Sequence, residues 1–243
     1  RSTAESLGYA KTPEQRDQLI YQIQSELKRL NRLITDVSNA SRLDAELARQ
    51  ERLPIDLSGV LTSVTDIFRD ILSDDTRRIR LEVEPAHEGA YVVRGDDGRL
   101  GQVLTNLVDN ALSFSPDGGT VTVRMRLAAP HVEIAVEDEG PGIPEDRQAI
   151  IFDRFYTDRP ATEAQRGKNS GLGLSISREI VKSHGGEIWA ENRYDGAAQP
   201  PAPGAKAPKT AGGKSGPKPL GARFVVHLPM MTQTTARSGM LGA

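Results

Sequence analysis

The chain has 243 residues, with 31 Lys and Arg against 33 Asp and Glu and a formal net charge of −2. So even a balance excludes whole-body attraction to nucleic acid or to an anionic membrane, and no apolar run approaches the ~18 residues of a membrane span. Cysteine is absent, which excludes disulfides, thiolate metal sites and a cysteine nucleophile. Hydrophobic residues make up 37% and aromatics 5%, so the core must be aliphatic and concentrated in part of the chain.

The chain opens on Arg1 rather than Met and carries no signal-peptide pattern, so it reads as part of a longer protein. Thr12, Pro13 and Gln15 form a helix start of the capping-box kind. Beyond it Ile20, Ile23, Leu27, Leu30, Ile34 and Val37 step by threes and fours, an a/d seam flanked by polar residues. One narrow apolar seam on a helix running to about residue 50 predicts a partner helix, in a bundle or a dimer. Pro54 ends it, and residues 53–57 predict a short strand.

Residues 58–73 predict an amphipathic helix, 79–83 and 90–93 short strands, and 97–114 a helix with Leu100, Val103, Leu104, Leu107, Val108 and Ala111 on one face. Residues 120–127 and 131–136 alternate and predict a hairpin. Residues 139–170, rich in Gly, Pro and charge, predict a long loop, and loops of that length in a compact domain are usually functional. A helix follows at 173–183 and a strand at 186–191. Residues 196–221 hold six Gly, six Pro and four Lys with no acid, too little apolar surface to offset ordering entropy, so a disordered insertion is expected there. Residues 222–228 resume as a strand, which places the insertion inside a hairpin. A flexible tail is expected at 230–243.

Three segments carry chemistry. Asn106 and Asn110 are four apart on one helix face, and an amide oxygen is a hard, neutral ligand for Mg²⁺. Asp138-Glu-Gly-Pro-Gly142-Ile143 closes a strand, where a carboxylate can accept from an exocyclic amine and the glycines allow close backbone approach. Asn169-Ser-Gly171-Leu-Gly173-Leu174 is a Gly-rich start of a helix, whose N–H groups can cradle phosphate. Each alone is weak: helix-surface asparagines, a turn, an ordinary helix start.

In this order they resemble the ATP-binding domain of bacterial sensor histidine kinases, within the wider gyrase, Hsp90, histidine kinase and MutL ATPase family. The resemblance takes in the N box (Asn106–Asn110), the G1 box (Asp138–Ile143), the F box (Ile151–Tyr156), the G2 box (Ser170–Leu174) and the run from His184 to Asn192. It implies an α+β chain. An N-terminal bundle helix is followed by a two-layer α/β sandwich, a mixed sheet with helices on one face (the Bergerat ATP-binding fold). Residues 1–52 would be part of a dimerisation and histidine-phosphotransfer domain. Residues 53–229 would be the ATP-binding catalytic domain, with an ATP lid at about 143–170.

The resemblance also implies ATP and Mg²⁺ as cofactors. Asn110 would coordinate the metal with Asn106 helping, and Asp138 would accept from adenine N6. Gly140, Gly142 and Ile143 would shape the adenine pocket, and Tyr156 would stand beside the nucleotide. Lys168, Ser170, Gly171, Leu172, Gly173 and Leu174 would approach the phosphates. Phe152 and Phe155 would pack the lid against the domain. The implied partners are a response regulator and, in the parent protein, a second copy joined through the bundle. The implied location is the cytoplasmic region of an inner-membrane sensor, the fragment itself soluble and without direct membrane contact.

The departures are specific. Relatives often carry Lys or Arg where Ser113 stands, a basic residue where Thr157 stands, and two glycines where Lys168 and Asn169 stand. The family's acceptor histidine sits in a motif that none of His87, His131, His184 or His227 matches, so the chain is expected to lack the residue it phosphorylates. Two other readings stay open: an ATP-hydrolysing conformational machine, or a non-catalytic nucleotide-binding dimerisation module. ATP-hydrolysing relatives place a Glu base four residues before the metal Asn, where this chain has Asn106, which cannot take a proton at neutral pH.

Overall fold

The computed structural model describes residues 12, 15–17, 19–20, 52–156, 171–194 and 219–231. In chain order the elements are β1 (Leu53–Asp56), α1 (Leu57–Ile71), β2 (Arg78–Val83), β3 (Val92–Gly95), α2 (Asp97–Phe114), β4 (Thr120–Ala128), β5 (His131–Glu137), a 3₁₀ turn (Ile150–Phe152), α3 (Gly173–Ser183), β6 (Glu187–Arg193) and β7 (Gly221–Pro229). The chain divides into two compact units, residues 1–50 with 145–179, and residues 51–144 with 180–243.

The second unit is built on a five-stranded sheet of order β2-β4-β5-β7-β6. Only β2 and β4 run parallel, so the sheet is mixed as expected. Alternation dictates its two faces. Val121, Val123 and Met125 of β4, Val132, Ile134 and Val136 of β5, and Phe224, Val226 and Leu228 of β7 are buried. Helices α1 and α2 lie on this sheet, α1 along β2 and α2 along β4 and β5. Both helices start where a carboxylate can cap them. Asp56 accepts from the Ser58 N–H at 2.9 Å, and Asp96 from the Arg99 N–H at 2.8 Å. The α1 stripe is Leu57, Leu61, Val64 and Phe68. The α2 stripe runs from Leu100 to Leu112, and each such side chain contributes roughly 1.5–3 kcal/mol by leaving water.

The alternate positions of the same strands include a cluster of charged residues. Glu133 Oε1 of β5 accepts from Arg126 Nε and Arg223 Nη2, each at 2.8 Å, and Oε2 accepts from Arg126 Nη2 at 2.9 Å and faces His227 Nε2 at 3.0 Å. Burial pushes the Glu133 carboxyl up, but the bonds from Arg126 and His227 and the charges of Arg126 and Arg223 outweigh it, so its pKa is held below the ordinary value.

β1 and β3 form a separate antiparallel pair, from Leu53 opposite Gly95 to Asp56 opposite Val92, a second sheet that periodicity did not reveal. β3 begins two residues later than the expected 90–93 strand. Gly89 takes a positive φ of 74°, and the chain turns there, with the Ala90 N–H bonded to the His87 carbonyl. Met230 and Met231, expected in a flexible tail, are paired instead. Met230 bridges Val93, and the Met231 N–H donates to the Val92 carbonyl at 3.1 Å. β6 and β7 are adjacent and antiparallel, so the Gly- and Pro-rich stretch does join two neighbouring strands. Its end was misread, because Gly221 is already the first residue of β7. Residues 195–218 lie outside the described residues, as do 232–243.

The end of α3 is tied to the start of α2 through His184, which is 7% exposed. Its Nε2 accepts from the Asp96 N–H at 3.1 Å, so Nδ1 carries the proton toward the Ile180 carbonyl at 2.7 Å. Gly95 makes room for the ring: a Cβ there would lie 2.6 Å from His184 Cδ2. Burial pushes the His184 pKa down, which keeps this tautomer neutral. Arg52 donates to the carbonyl of Ser183 beside it.

In the first unit, Thr12 caps as its sequence predicts, its hydroxyl accepting from the Gln15 N–H at 3.3 Å and its carbonyl from the Arg16 N–H at 3.2 Å. Residues 15–17 and 19–20 are helical. The apolar seam from Ile23 to Val37 lies outside the described residues. Among the described residues no helix is long and apolar enough to cross a membrane.

Candidate functional site

Within the second unit, α2 presents Asn106 and Asn110 one turn apart, both half-buried, between the fully buried Leu107 and Val108 and the buried Ala111. The apolar stripe anchors the helix, so the two amides keep a fixed spacing at its margin. Ser113, where relatives carry a cation, turns its hydroxyl back onto the Asn110 carbonyl at 2.7 Å.

Asp138 follows the last residue of β5 and is 1% exposed. Its N–H donates to the Ala222 carbonyl at 3.0 Å. Its Oδ1 accepts from the N–H groups of Ala222 and Gly140, each at 2.9 Å. Both bonds end on the same oxygen, which leaves Oδ2 to meet a donor from outside the chain. Burial pushes the carboxyl above its ordinary pKa, opposed by those two backbone bonds and the charge of Arg193. The turn that follows lies against the end of α2, since a Cβ on Gly140 would come within 2.8 Å of the Phe114 carbonyl. The structure thus brings the helix of the two asparagines and the turn of Asp138 together in one unit. Amide oxygens, a buried single acceptor and a turn with two glycines suit a nucleotide. Among the described residues no cluster of three His, Cys, Asp or Glu could hold a metal.

Four residues around this turn were not singled out from sequence. Asn192 bonds both backbone groups of Ile143, and Arg193 donates to the Asp138 carbonyl at 2.8 Å. Pro219 lies against Gly142, and a methyl group on Gly221 would overlap the Asp138 carbonyl. The only local signal was the polar run Glu191, Asn192 and Arg193 that closes the strand.

In the first unit, Phe152 is buried, with the Arg178 guanidinium 4.8 Å over its ring. Arg178 also pairs with Asp153 at 3.8 Å. Phe155 does not pack as expected: it is 62% exposed and has a φ of 67°, strained for a side chain of this size. The cause is local, because its N–H donates to the Gly171 carbonyl at 3.0 Å, and the two backbones approach closely. A Cβ on Gly171 would lie 2.7 Å from the Tyr156 carbonyl, and Gly171 itself has a φ of 72°. Leu172 is buried, and its carbonyl accepts from the Ile176 N–H at 2.9 Å as α3 begins at Gly173. Tyr156, Gly173 and Leu174 are half-buried. Lys168 and Ser170 lie outside the described residues.

Residues 95–232 match the family described as histidine kinase-, DNA gyrase B- and HSP90-like ATPases, more than half of the chain. The chain belongs to this family. Among its relatives in the family, the sensor protein ChvG of Agrobacterium fabrum is 47% identical over 200 residues, covering 80% of this chain and 33% of that protein. Histidine kinase ThkA, solved in complex with the response regulator protein TrrA, matches with a TM-score of 0.63 and 25% identity, covering 92% of this chain and 54% of that one. Full-length ShkA in complex with AMPPNP matches with a TM-score of 0.63 and 25% identity, over 92% of this chain and 40% of that one. The chain spans about a third of the length of the curated relatives it matches.

Proposed function

We propose that this chain is the ATP-binding catalytic portion of a sensor histidine kinase. It transfers the γ-phosphoryl group of Mg-ATP to a histidine, from which the group passes to an aspartate of a response regulator. Residues 53–229 form the catalytic domain. Residues 1–52 contribute to a dimerising helical bundle, in the cytoplasmic region of an inner-membrane sensor. The single observation that carries the reading is Asp138: a buried carboxylate with one oxygen saturated by backbone N–H groups and the other left for an exocyclic amine, beside the end of the asparagine helix.

In this reading Asp138 Oδ2 accepts from adenine N6, and the Gly140–Gly142 turn offers a flat wall to the base. Asn110, with Asn106, would hold a divalent cation through amide oxygens, and such a cation would supply charge neutralisation for the phosphates. In the first unit, Gly171 and Gly173 lead into the start of α3, where backbone N–H groups are of the kind that can donate to phosphate oxygens. Phosphoryl transfer is mainly positioning and charge neutralisation, which is what these groups supply. Asn106 cannot deprotonate water, which favours transfer to a histidine over hydrolysis.

The test is the metal dependence of binding. Asn110→Ala should weaken ATP in the presence of Mg²⁺ by more than tenfold, or ~1.4 kcal/mol, and should leave Mg-free nucleotide binding within a few-fold of the unmodified chain. Equal Mg-ATP affinity in calorimetry would remove Asn110 from the site.

A further inference from the structure

The turn that follows Asp138 is gripped at both ends by two consecutive residues of β6. At its far end, Asn192 Nδ2 donates to the Ile143 carbonyl at 2.7 Å, while Asn192 Oδ1 accepts from the Ile143 N–H at 2.7 Å. The carboxamide thus imitates the edge of a neighbouring strand for a single residue, 49 positions away in sequence. At the near end, Arg193 Nη1 donates to the Asp138 carbonyl at 2.8 Å. Arg193 is held in turn, its own carbonyl accepting from the Leu220 N–H at 2.7 Å. Between the two ends the turn is nested tightly. Gly142 has a φ of 78°, and a Cβ there would lie 2.8 Å from Asn192 Oδ1 and 2.6 Å from Pro219 Cγ.

Side-chain chemistry narrows what can do this. Asparagine alone offers one donor and one acceptor side by side at this reach. Aspartate lacks the donor, serine has a single oxygen, and glutamine is a methylene too long. Ile143 closes the turn, and the exposed Pro144 follows it. Whatever fixes Ile143 therefore fixes the far wall of the turn.

We propose that Asn192 is a positioning residue for the nucleotide. Its carboxamide holds the end of the Asp138–Ile143 turn in the geometry that faces the base, with Arg193 holding the start. This rests on the reading of Asp138 as the adenine acceptor.

The experiment compares the unmodified chain with Asn192→Ala and Asn192→Asp, the second keeping shape and acceptor but losing the donor. Calorimetry with ATP and with ADP is paired with hydrogen exchange at the Ile143 amide, and at the Ile134 amide in mid-β5 as a reporter of global stability. The expected result is a loss of about tenfold in affinity in both variants, equal for ATP and ADP because the defect lies at the base and not at the phosphates. Ile143 exchange should rise in Asn192→Ala while Ile134 exchange holds. Unchanged affinity in both variants would overturn the proposal, and so would equal acceleration at Ile143 and Ile134, which marks a general stability role. Failure of the unmodified chain to bind ATP would instead overturn the nucleotide reading beneath it, and this inference with it.

Discussion

Replacing Asp138 by asparagine should separate stability from function. The two side chains have the same shape, so the amide oxygen can take the place of Oδ1 and keep the bonds from Ala222 and Gly140 at 2.9 Å. The NH₂ then stands where Oδ2 was, a donor facing the donor of adenine N6. A hydrogen bond to a charged acceptor contributes about 1.5–3 kcal/mol, so ATP affinity should fall roughly 10- to 150-fold. Stability should move the other way. Burial holds the Asp138 pKa above the ordinary carboxylate value, so keeping the group ionised in the fold costs free energy at neutral pH. That cost is absent below the ordinary carboxylate pKa and grows as pH rises through the raised one. Asp138→Asn should therefore unfold at equal or higher urea than the unmodified chain at neutral pH, with the difference vanishing in acid. Calorimetry and urea unfolding at two pH values measure both halves. ATP affinity within threefold of the unmodified chain, or a clear loss of stability, would refute the reasoning.

Gly221→Ala should be far costlier than a glycine change on the surface. Its methyl group would overlap the Asp138 carbonyl, forcing apart the two hydrogen bonds between Asp138 and Ala222, one from the Asp138 N–H and one to its carboxylate, at ~1 kcal/mol each with overpacking of ~1–3 kcal/mol. About 3–5 kcal/mol of stability and the nucleotide affinity should be lost together, whereas Gly59→Ala in α1, with nothing within 4 Å, should gain roughly 0.5–1 kcal/mol. Acid should weaken the fold through His184. Its pKa is lowered in the folded state, so its contribution is complete above the unfolded value near 6.5 and is lost as pH falls below that toward the folded pKa. Urea unfolding across this window should show that slope, and a His184→Asn variant should flatten it.

Where local chemistry decides structure, the sequence was enough. The bounds of α2 and α3 follow from the Asp96 cap, the helical spacing from Leu100 to Ala111 and the glycine start at Gly173. Asn106, Asn110 and Asp138 stand out only through the order of the three motifs, since each alone reads as a pair of helix-surface asparagines or a turn. What stayed hidden depends on partners far along the chain. Asn192 acts on Ile143 and Arg193 on Asp138, 49 and 55 positions away, and their own neighbourhood shows only a polar run at the end of a strand. Gly221 was concealed by the glycines and prolines before it, which read as disorder, although its strand pairs with β5 and β6. The packing role expected of Phe155 comes from the F-box resemblance, but the residue is 62% exposed. Its positive φ comes from the close approach of Gly171, which no spacing rule anticipates.

The central claim is transfer of a phosphoryl group rather than its release to water. The direct measurement is γ-labelled ATP incubated with this chain and with a form extended N-terminally through the preceding helix of the bundle. The account predicts acid-labile, base-stable label on a histidine of the longer form, none on this chain, and little free phosphate from either. Rapid, steady phosphate release with no labelled histidine in the longer form would contradict it.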